Sequence, residues 1–286
     1  MPTSSQWVYS SNCLIPAGEA LPAGVRRFAA AVEYRGDRFS GWQRQSHSPS
    51  VQQAVESALS RIANQPVTVA CAGRTDTGVH ATNQVIHFDT DAQRTPRNWL
   101  LGANTQLPDC VRLHWVGEMP GDFHSRFRAT ARTYRYLISN EPVRPALFKG
   151  LLTWCKSPLD EARMHRAAQG LLGENDFTSF RAAGCQSRSP NRFMEAISVY
   201  RQGALVVIEL TANAFLHHMV RNIAGVLMAV GRGERPVEWP AALLAARDRA
   251  AGEVTAPADG LYLVSVRYPD QYSLPEFSPG PAFIPL

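Results

Sequence analysis

Residues 73–81 read Gly-Arg-Thr-Asp-Thr-Gly-Val-His-Ala and separate two short β-rich runs. A loop between two strands is where a rigid scaffold usually presents reactive groups. This loop carries a carboxylate (Asp76), a guanidinium (Arg74), an imidazole (His80) and two glycines that allow close backbone approach to a ligand. Taken alone, the residue types favour a hairpin turn in which Asp76 bonds its own backbone, so a reactive loop needs support from the rest of the chain.

The elements around this loop follow the order strand-helix-strand-strand-helix-strand, and the order occurs twice. The first set is predicted as strand 28–34, helix 50–63, strands 67–72 and 84–89, helix 95–101 and strand 111–116. The second set is predicted as strand 132–138, a helix that starts at Ser157-Pro158 and ends at Gly173, strands 193–200 and 204–210, helices 214–230 and 240–250, and strand 261–268.

This repeated order is that of a split βαβ unit. It predicts an α+β protein of two similar domains, each a mixed or antiparallel sheet with helices on one face, with a cleft between the domains. We expect a disordered extension over residues 1–25 and an N-terminal domain over 26–124 that carries the loop. A C-terminal domain over 125–272 and a tail over 273–286 complete the chain.

The composition limits the class of protein and of partner. At 286 residues, with 45% hydrophobic and 19% charged residues, the chain is typical of a globular protein with a large core. Its net charge of +5 leans toward a polyanionic partner. Five widely spaced cysteines without a Cys-x-x-Cys motif indicate reduced thiols in the cytoplasm, and favour neither a disulfide framework nor a zinc site.

The chain also lacks the signals of membrane insertion and secretion. No apolar run approaches the length of a membrane span, so no membrane partner is expected. The first positive charge is Arg26, and the beginning therefore lacks the cationic flank of a secretory signal.

Tyr134 and Tyr136 lie two residues apart on a predicted strand, so both face the same side of the sheet. Four arginines surround them in sequence: Arg126, Arg128, Arg132 and Arg135. Rings that stack on bases and guanidiniums that meet phosphates suit splayed-out nucleotides. Core packing is the alternative, and we expect it to hold for one of the two tyrosines.

A predicted helix over 214–230, capped by Asn213, places Arg221 near a broad apolar face. A charge next to a core needs a partner, and we assign Asp76 to Arg221. His217 and His218 precede Arg221 by one turn, but neighbours on a helix point about a quarter turn apart. Without a nearby cysteine or a His-Glu-x-x-His spacing, we expect no metal site.

Two further segments allow two interpretations each. Residues 180–192 contain three arginines and no acid, which is typical either of a loop that grips a phosphate backbone or of a solvated surface loop. Residues 41–45 place Trp42 beside Arg44, which fits either stacking on a base or simple anchoring of the loop.

Taken together, these segments resemble the tRNA pseudouridine synthase A family. The motif at 73–80 resembles the catalytic motif of that family. The other similar segments follow in the family's order: 41–45, 123–127, 131–136, 177–181 and 215–222. The likeness extends over roughly residues 26–272, and Thr77 and Asn191 depart from the residues usual in the family.

The resemblance implies conversion of uridine to pseudouridine in the tRNA anticodon stem-loop, at tRNA positions 38, 39 and 40. It implies that Asp76 is the nucleophile and that Tyr134 stacks on the target base. Arg221 is then the ion-pair partner of Asp76, and Arg74 helps to hold the nucleotide out of the helix. The family works as a homodimer without cofactor or metal, so we expect none here.

Two other functions remain to be discriminated. An RNA chaperone that folds tRNA without chemistry would also need a basic surface, and a turnover assay separates it from an isomerase. A nucleoside hydrolase using Asp76 would release free uracil, whereas an isomerase returns the base to the same sugar. A glycosidase would also need a second carboxylate, and this loop offers only Asp76.

Overall fold

The computed structural model describes residues 20–277 and 280–284, so nearly all of the predicted extension lies outside the described residues. The strands are β1 (Arg26–Tyr34), β2 (Ala70–Cys71), β3 (His80–Thr90), β4 (Val111–Met119), β5 (Ala131–Ser139), β6 (Thr153–Trp154), β7 (Gly173–Asp176), β8 (Asn191–Gln202), β9 (Leu205–Ala212) and β10 (Leu261–Arg267). The helices are α1 (Val51–Ala63), α2 (Pro96–Gln106), α3 (Glu161–Ala168), α4 (Met219–Gly231) and α5 (Trp239–Ala246).

The strands form a single mixed sheet in the order β4-β1-β3-β10-β5-β9-β8-β7, with β2 paired to β3 and β6 paired to β5. The predicted α+β class is confirmed. The two halves repeat one arrangement, because β4-β1-β3-β2 and β10-β5-β9-β8 have equivalent orders in chain sequence. The halves are joined edge to edge, whereas the sequence suggested two separate sheets with a cleft between them.

The junction between the halves depends on the position at which β2 ends, Cys71. The predicted strand 67–72 shrinks to two residues, which pair with the far part of β3 at His87 and Ile86. The near part of the same edge is therefore open, and β10 pairs there in parallel through Tyr262↔His80 and Leu263↔Ala81. The loop that carries Asp76 leaves the sheet between these two pairings.

The helix-covered face of the sheet holds the main core. On β5, Tyr134, Tyr136 and Ile138 belong to this core, while Leu137 points to the opposite face. The small cluster on that face includes Ile284, which is buried. The described part of the predicted tail thus packs against the sheet. Within the described residues, no helix is both long and apolar enough to cross a membrane.

Two helices begin later than their sequences predict, and α1 begins where expected. The hydroxyl of Ser50 accepts a hydrogen bond from the Gln53 amide and caps α1. Helix α3 begins at Glu161 because Asp160, rather than the Ser157-Pro158 pair, accepts the capping bond from the Arg163 amide at 2.9 Å.

Helix α4 begins at Met219, so the prediction of a helix from Ala214 capped by Asn213 was wrong. The Asn213 side chain instead accepts from the amides of Ala214, at 2.8 Å, and Phe193, at 3.1 Å, which ties this segment to β8. His218 then takes a left-handed conformation (φ 60°) directly before the helix. Residues 214–218 therefore precede the helix and do not form its first turns.

Gly225 provides a test of how α4 is seated. A Cβ added at Gly225 would lie 2.3 Å from the Val254 carbonyl oxygen, which is backbone and cannot move alone. Alanine improves helix propensity by up to about 1 kcal/mol, but overpacking costs about 1–3 kcal/mol. We therefore expect Gly225→Ala to lower the free energy of unfolding by about 1–2 kcal/mol, measured by urea denaturation.

Gly102→Ala in α2 is the matched control. The nearest atom to its added Cβ, at 2.9 Å, is Cδ1 of Ile62, the free end of a flexible side chain. This variant should be neutral or more stable by up to about 1 kcal/mol. Equal stabilities of Gly225→Ala and the unaltered protein would contradict the tight contact between α4 and Val254.

Candidate active site

The loop between β2 and β3 is held firmly by the first half of the chain. The Thr75 carbonyl accepts a hydrogen bond from the Trp42 amide at 3.0 Å, and the Thr75 hydroxyl bonds the Tyr34 hydroxyl at 2.8 Å. The side-chain amide of Gln84 bonds both the amide and the carbonyl of Gly73, at 3.4 and 2.6 Å. The loop is therefore a fixed platform rather than a free turn.

Two glycines outside the loop allow this close packing. A Cβ at Gly41 (φ +91°) would lie 2.9 Å from the Thr75 carbonyl oxygen, and one at Gly36 would lie 2.0 Å from that of Val79. Trp42 is buried, so it anchors the loop and does not offer a face to a base. Between the two interpretations of residues 41–45, the structure favours anchoring for Trp42.

His80 of the motif is part of the scaffold. Its ring is buried, stacks on Tyr262 at 4.6 Å between centroids, and accepts a hydrogen bond at Nδ1 from the Gly36 amide at 3.0 Å. Burial lowers the pKa of this imidazole below its usual range. The ring is therefore neutral and serves to hold the start of β3.

The carboxylate of Asp76 faces three cationic or basic groups from the second half of the chain. Nη1 of Arg221 lies 3.8 Å from Oδ2, Nε2 of His218 lies 3.4 Å from Oδ2, and Nε2 of His217 lies 3.3 Å from Oδ1. The Asp76 side chain is 28% exposed. The structure thus brings together the predicted pair of Asp76 and Arg221, across the junction of the two halves.

Arg221 is fixed by a second contact. Its Nε donates to the Ala256 carbonyl at 2.8 Å, and its own carbonyl accepts from the Ala256 amide at 3.2 Å. The side chain is only 16% exposed. The guanidinium therefore lies in a set orientation beside the carboxylate, with one edge bound to the chain that leads into β10.

The sequence pattern did not indicate His217 and His218 as partners of Asp76. It predicted both on a helix, where neighbouring side chains point apart, but both residues precede the first turn of α4. The left-handed backbone of His218, which costs a non-glycine residue about 1–3 kcal/mol, lets both rings reach the carboxylate, with centroids 4.0 Å apart. Their position three and four residues before Arg221 is the signal that could have found them.

His218 stays neutral at pH 7. Its partial burial lowers its pKa from the ordinary value of 6.5, and the charge of Asp76 opposes this shift. The neighbouring groups His217, Arg221 and Arg249 add to the lowering because each disfavours a further positive charge. The imidazole therefore has a free lone pair for a proton under neutral conditions.

Tyr134 lines the same site, whereas Tyr136 is a core residue. The Tyr136 hydroxyl bonds the Thr153 hydroxyl at 2.7 Å and the Pro257 carbonyl at 2.8 Å. Tyr134 is 8% exposed and packs edge-on against Phe215 at 5.0 Å. Burial raises the pKa of the Tyr134 phenol above its usual range, Arg132 opposes this shift, and the nearby charge of Asp76 adds to it.

Known proteins match this chain over most of its length. A family model described as tRNA pseudouridine synthase matches residues 30–128 and 167–269. The chain is 56% identical over 260 residues to a tRNA pseudouridine synthase A of Escherichia coli O1:K1 / APEC, covering 91% of this chain and 96% of the relative. It is 52% identical over 276 residues to that of Pseudomonas aeruginosa strain PAO1, covering 96% and 97%.

The chain belongs to the tRNA pseudouridine synthase family. The resemblance found in the motifs is confirmed, and with it the class of enzyme, an isomerase. The first segment of the family match contains Arg74 and Asp76, and the second contains Arg221 and both histidines. Tyr134 falls in the interval between the two segments.

Exposed arginines lie on three segments that adjoin the site of this family member. They are Arg74, Arg126 and Arg188, and none of them forms an ion pair within the described part of the chain. The segment of Arg126 is tied to the loop because Arg132 donates to both the Arg126 and Ala72 carbonyls, at 2.8 and 3.0 Å. These charges are available for an anionic partner.

The loop over 180–192 proves to be only partly free. Arg181 donates to the Cys185 and Ser187 carbonyls, and Arg192 donates to the Ser189 carbonyl and the Ser187 hydroxyl, so both stiffen the loop. The loop packs against the site, since the Ala182 amide donates to the His217 carbonyl at 3.0 Å. Arg188 is the exposed cation of this loop.

Asp76, His217 and His218 have the composition of a metal-binding trio, and their ligand atoms lie within 4.8 Å of one another. Two imidazoles and a carboxylate are ligands that divalent transition metals accept. The Arg221 guanidinium works against such an ion because it already lies beside the same carboxylate. The expectation of a metal-free site therefore stays a prediction, with an electrostatic reason added.

Proposed function

We propose that this protein isomerises uridine to pseudouridine in tRNA, at positions 38, 39 and 40 of the anticodon stem-loop, with Asp76 as the nucleophile. The observation that carries the proposal is the single carboxylate between Arg221 and two imidazoles, within 3.8 Å of each, on a loop fixed by the scaffold. Membership of the family supplies the reaction class and the tRNA substrate.

The reaction needs one well-placed anion rather than a pair of acids. Isomerisation breaks the N1–C1′ bond, turns the base and joins C5 to C1′, so no atom is gained and no water is activated. A cationic partner such as Arg221 attracts the Asp76 carboxylate and holds it in place for attack. Among the described side chains, those in contact with Asp76 do not include the second carboxylate that a glycosidase uses.

The target uridine must leave its base stack to reach Asp76, which costs roughly a few kcal/mol. We assign Tyr134 to the face of the flipped base, since stacking on an aromatic ring contributes about 1–3 kcal/mol and offsets much of that cost. Arg74 lies two residues from Asp76, is exposed, and makes no hydrogen bond with the described residues. It is therefore free to hold the nucleotide out of the helix.

The basic surroundings of the site suit the phosphates that flank the target. Arg74, Arg126 and Arg188 come from separate segments, so together they can follow a curved backbone such as a stem-loop. We also carry over from the family a homodimer in which each tRNA touches both subunits, and a cytoplasmic location.

Asp76→Asn tests the nucleophile. The amide keeps the shape of the side chain but cannot attack, so we expect near-normal tRNA affinity and no tritium release from tRNA labelled at uridine C5. Thr77→Ala, an exposed neighbour in the same loop, is the control and should release tritium at the normal rate. Retained tritium release by Asp76→Asn would contradict the assignment of Asp76 as the nucleophile.

The same assay separates the rival functions. A chaperone would give no tritium release even with the unaltered protein, and a hydrolase would release free uracil. Mapping pseudouridine in bulk tRNA, with and without the protein, tests the target positions. New pseudouridine outside positions 38, 39 and 40 would contradict the anticodon assignment and leave the reaction class intact.

Arg188→Gln tests the phosphate contact of the loop over 180–192. Each lost phosphate contact lowers the slope of log Kd against log salt by about one, so tRNA binding should weaken with a shallower salt dependence. Arg97→Gln removes the same charge from the exposed side of α2, beside the edge strand β4, and should leave the slope unchanged. Equal slopes for both variants would contradict a role for Arg188.

Sedimentation velocity tests the assembly. We expect a species of twice the 31.5 kDa chain mass at micromolar concentration. A stable monomer that still forms pseudouridine would contradict the homodimer and leave the catalytic assignment untouched.

A further inference from the structure

Pseudouridine formation needs a base at its final step, and the nucleophile is a poor choice for it. Once C5 has bonded to C1′, C5 still holds its hydrogen, and its proton must leave while N1 gains one from solvent. A carboxylate is in general a weaker base than an imidazole, and Asp76 is already engaged as the proposed nucleophile. A neutral group near Asp76 would suit the step better.

We propose that His218 is the catalytic base that takes the C5 proton through its Nε2 atom, a role that rests on the proposed isomerisation at Asp76. The proton passes from C5 to the imidazole, the C5–H electron pair restores the double bond of the ring, and the imidazolium returns the proton to solvent. No oxidant or metal enters this balance.

The geometry supports this assignment in two ways. His218 Nε2 lies 3.4 Å from Asp76 Oδ2, longer than the 2.7–2.9 Å of charge-assisted hydrogen bonds, so no short hydrogen bond to the carboxylate fixes the proton of the neutral ring on Nε2. The backbone of His218 is left-handed (φ 60°, ψ 4°), a conformation that aims the ring at the nucleophile. Strained backbone of this kind clusters at active sites.

The other groups near Asp76 fit the role less well. The Tyr134 phenol holds its own proton at neutral pH because burial raises its pKa. His217 is more exposed than His218, at 43% against 28%, and its backbone is bound to the loop over 180–192 on both sides. Burial is the main cause of the lowered pKa of His218. The charged and titratable groups that act on it are Asp76, His217, Arg221 and Arg249, and of these only Asp76 opposes the shift.

A deuterium isotope effect can identify the base. Single-turnover rates are measured with tRNA that carries hydrogen or deuterium at uridine C5, and pseudouridine is quantified directly. His218→Asn is the test variant, since asparagine tolerates left-handed backbone and cannot act as the base. We expect its rate to fall at least about 10²-fold, with an isotope effect larger than that of the unaltered protein, because C5 proton removal becomes limiting.

His217→Asn is the matched control, because it removes the other imidazole that faces Asp76. Its isotope effect should equal that of the unaltered protein, whatever its rate. Added imidazole should speed His218→Ala and leave His217→Ala unchanged, which a purely structural role of His218 would not produce. Rescue also guards against a folding defect, and tRNA affinity is measured in parallel.

Two results would overturn the proposal. One is a slow His218→Asn variant with an unchanged isotope effect and no imidazole rescue, which would make His218 a positioning residue. The other is an enlarged isotope effect in Tyr134→Phe and not in His218→Asn, which would give the step to the phenol. Failure of the unaltered protein to form pseudouridine would instead overturn the proposed function.

Discussion

The structure depends on the parallel pairing of β10 with the first residues of β3. Because β2 ends at Cys71, the edge of β3 at His80 is open, and the last strand of the second half takes that place. The loop with Asp76 leaves the sheet at this point. The chain that enters β10 carries the Ala256 carbonyl that orients Arg221, so one short pairing brings the acid and its cation together.

The distances around Asp76 distinguish it from a structural ion pair in the same molecule. Arg27 and Asp89 are buried and joined by two hydrogen bonds of 2.7 Å, an arrangement that leaves no free oxygen for chemistry. Asp76 has three basic neighbours, but each lies 3.3 Å or more away. Charge attraction still acts at that range, while the lone pairs of the carboxylate stay available.

Local patterns sufficed for the parts of the fold that local forces decide. Three features were predictable in this way: the capped and amphipathic α1, the alternation that puts Tyr134 and Tyr136 on one face, and the loop between two strands. The start of α4 was not, because Asn213 is bound to β8 and His217 to the loop over 180–192, which overrides the helical pattern of the segment between them. Because of that single misplaced boundary, the two histidines were not predicted as partners of Asp76, since a helix would have turned their rings apart.

The join between the halves was equally beyond local patterns. Residues 67–72 have strand composition, but only Ala70 and Cys71 pair with β3, and β10 takes the part of that edge beyond them. The prediction of an acidic partner for Arg221 needed only its charge, because burial near a core demands such a partner wherever the strands run. The pairing of β10 with β3 is what brings Asp76 to that place.

The partial exposure of the site gives the substrate itself a physical role. Asp76 is 28% exposed, so in the free protein water screens its attraction to Arg221. A flipped base lying between Tyr134 and Asp76 would displace that water and strengthen every charge interaction around the carboxylate. The same change would strengthen the attraction between Asp76 and the imidazolium that His218 becomes when it takes a proton, since Asp76 is the neighbour that favours a charge on this ring. Substrate binding would therefore support both steps through one carboxylate, which Arg221 holds in place for attack and which favours the uptake of a proton by His218.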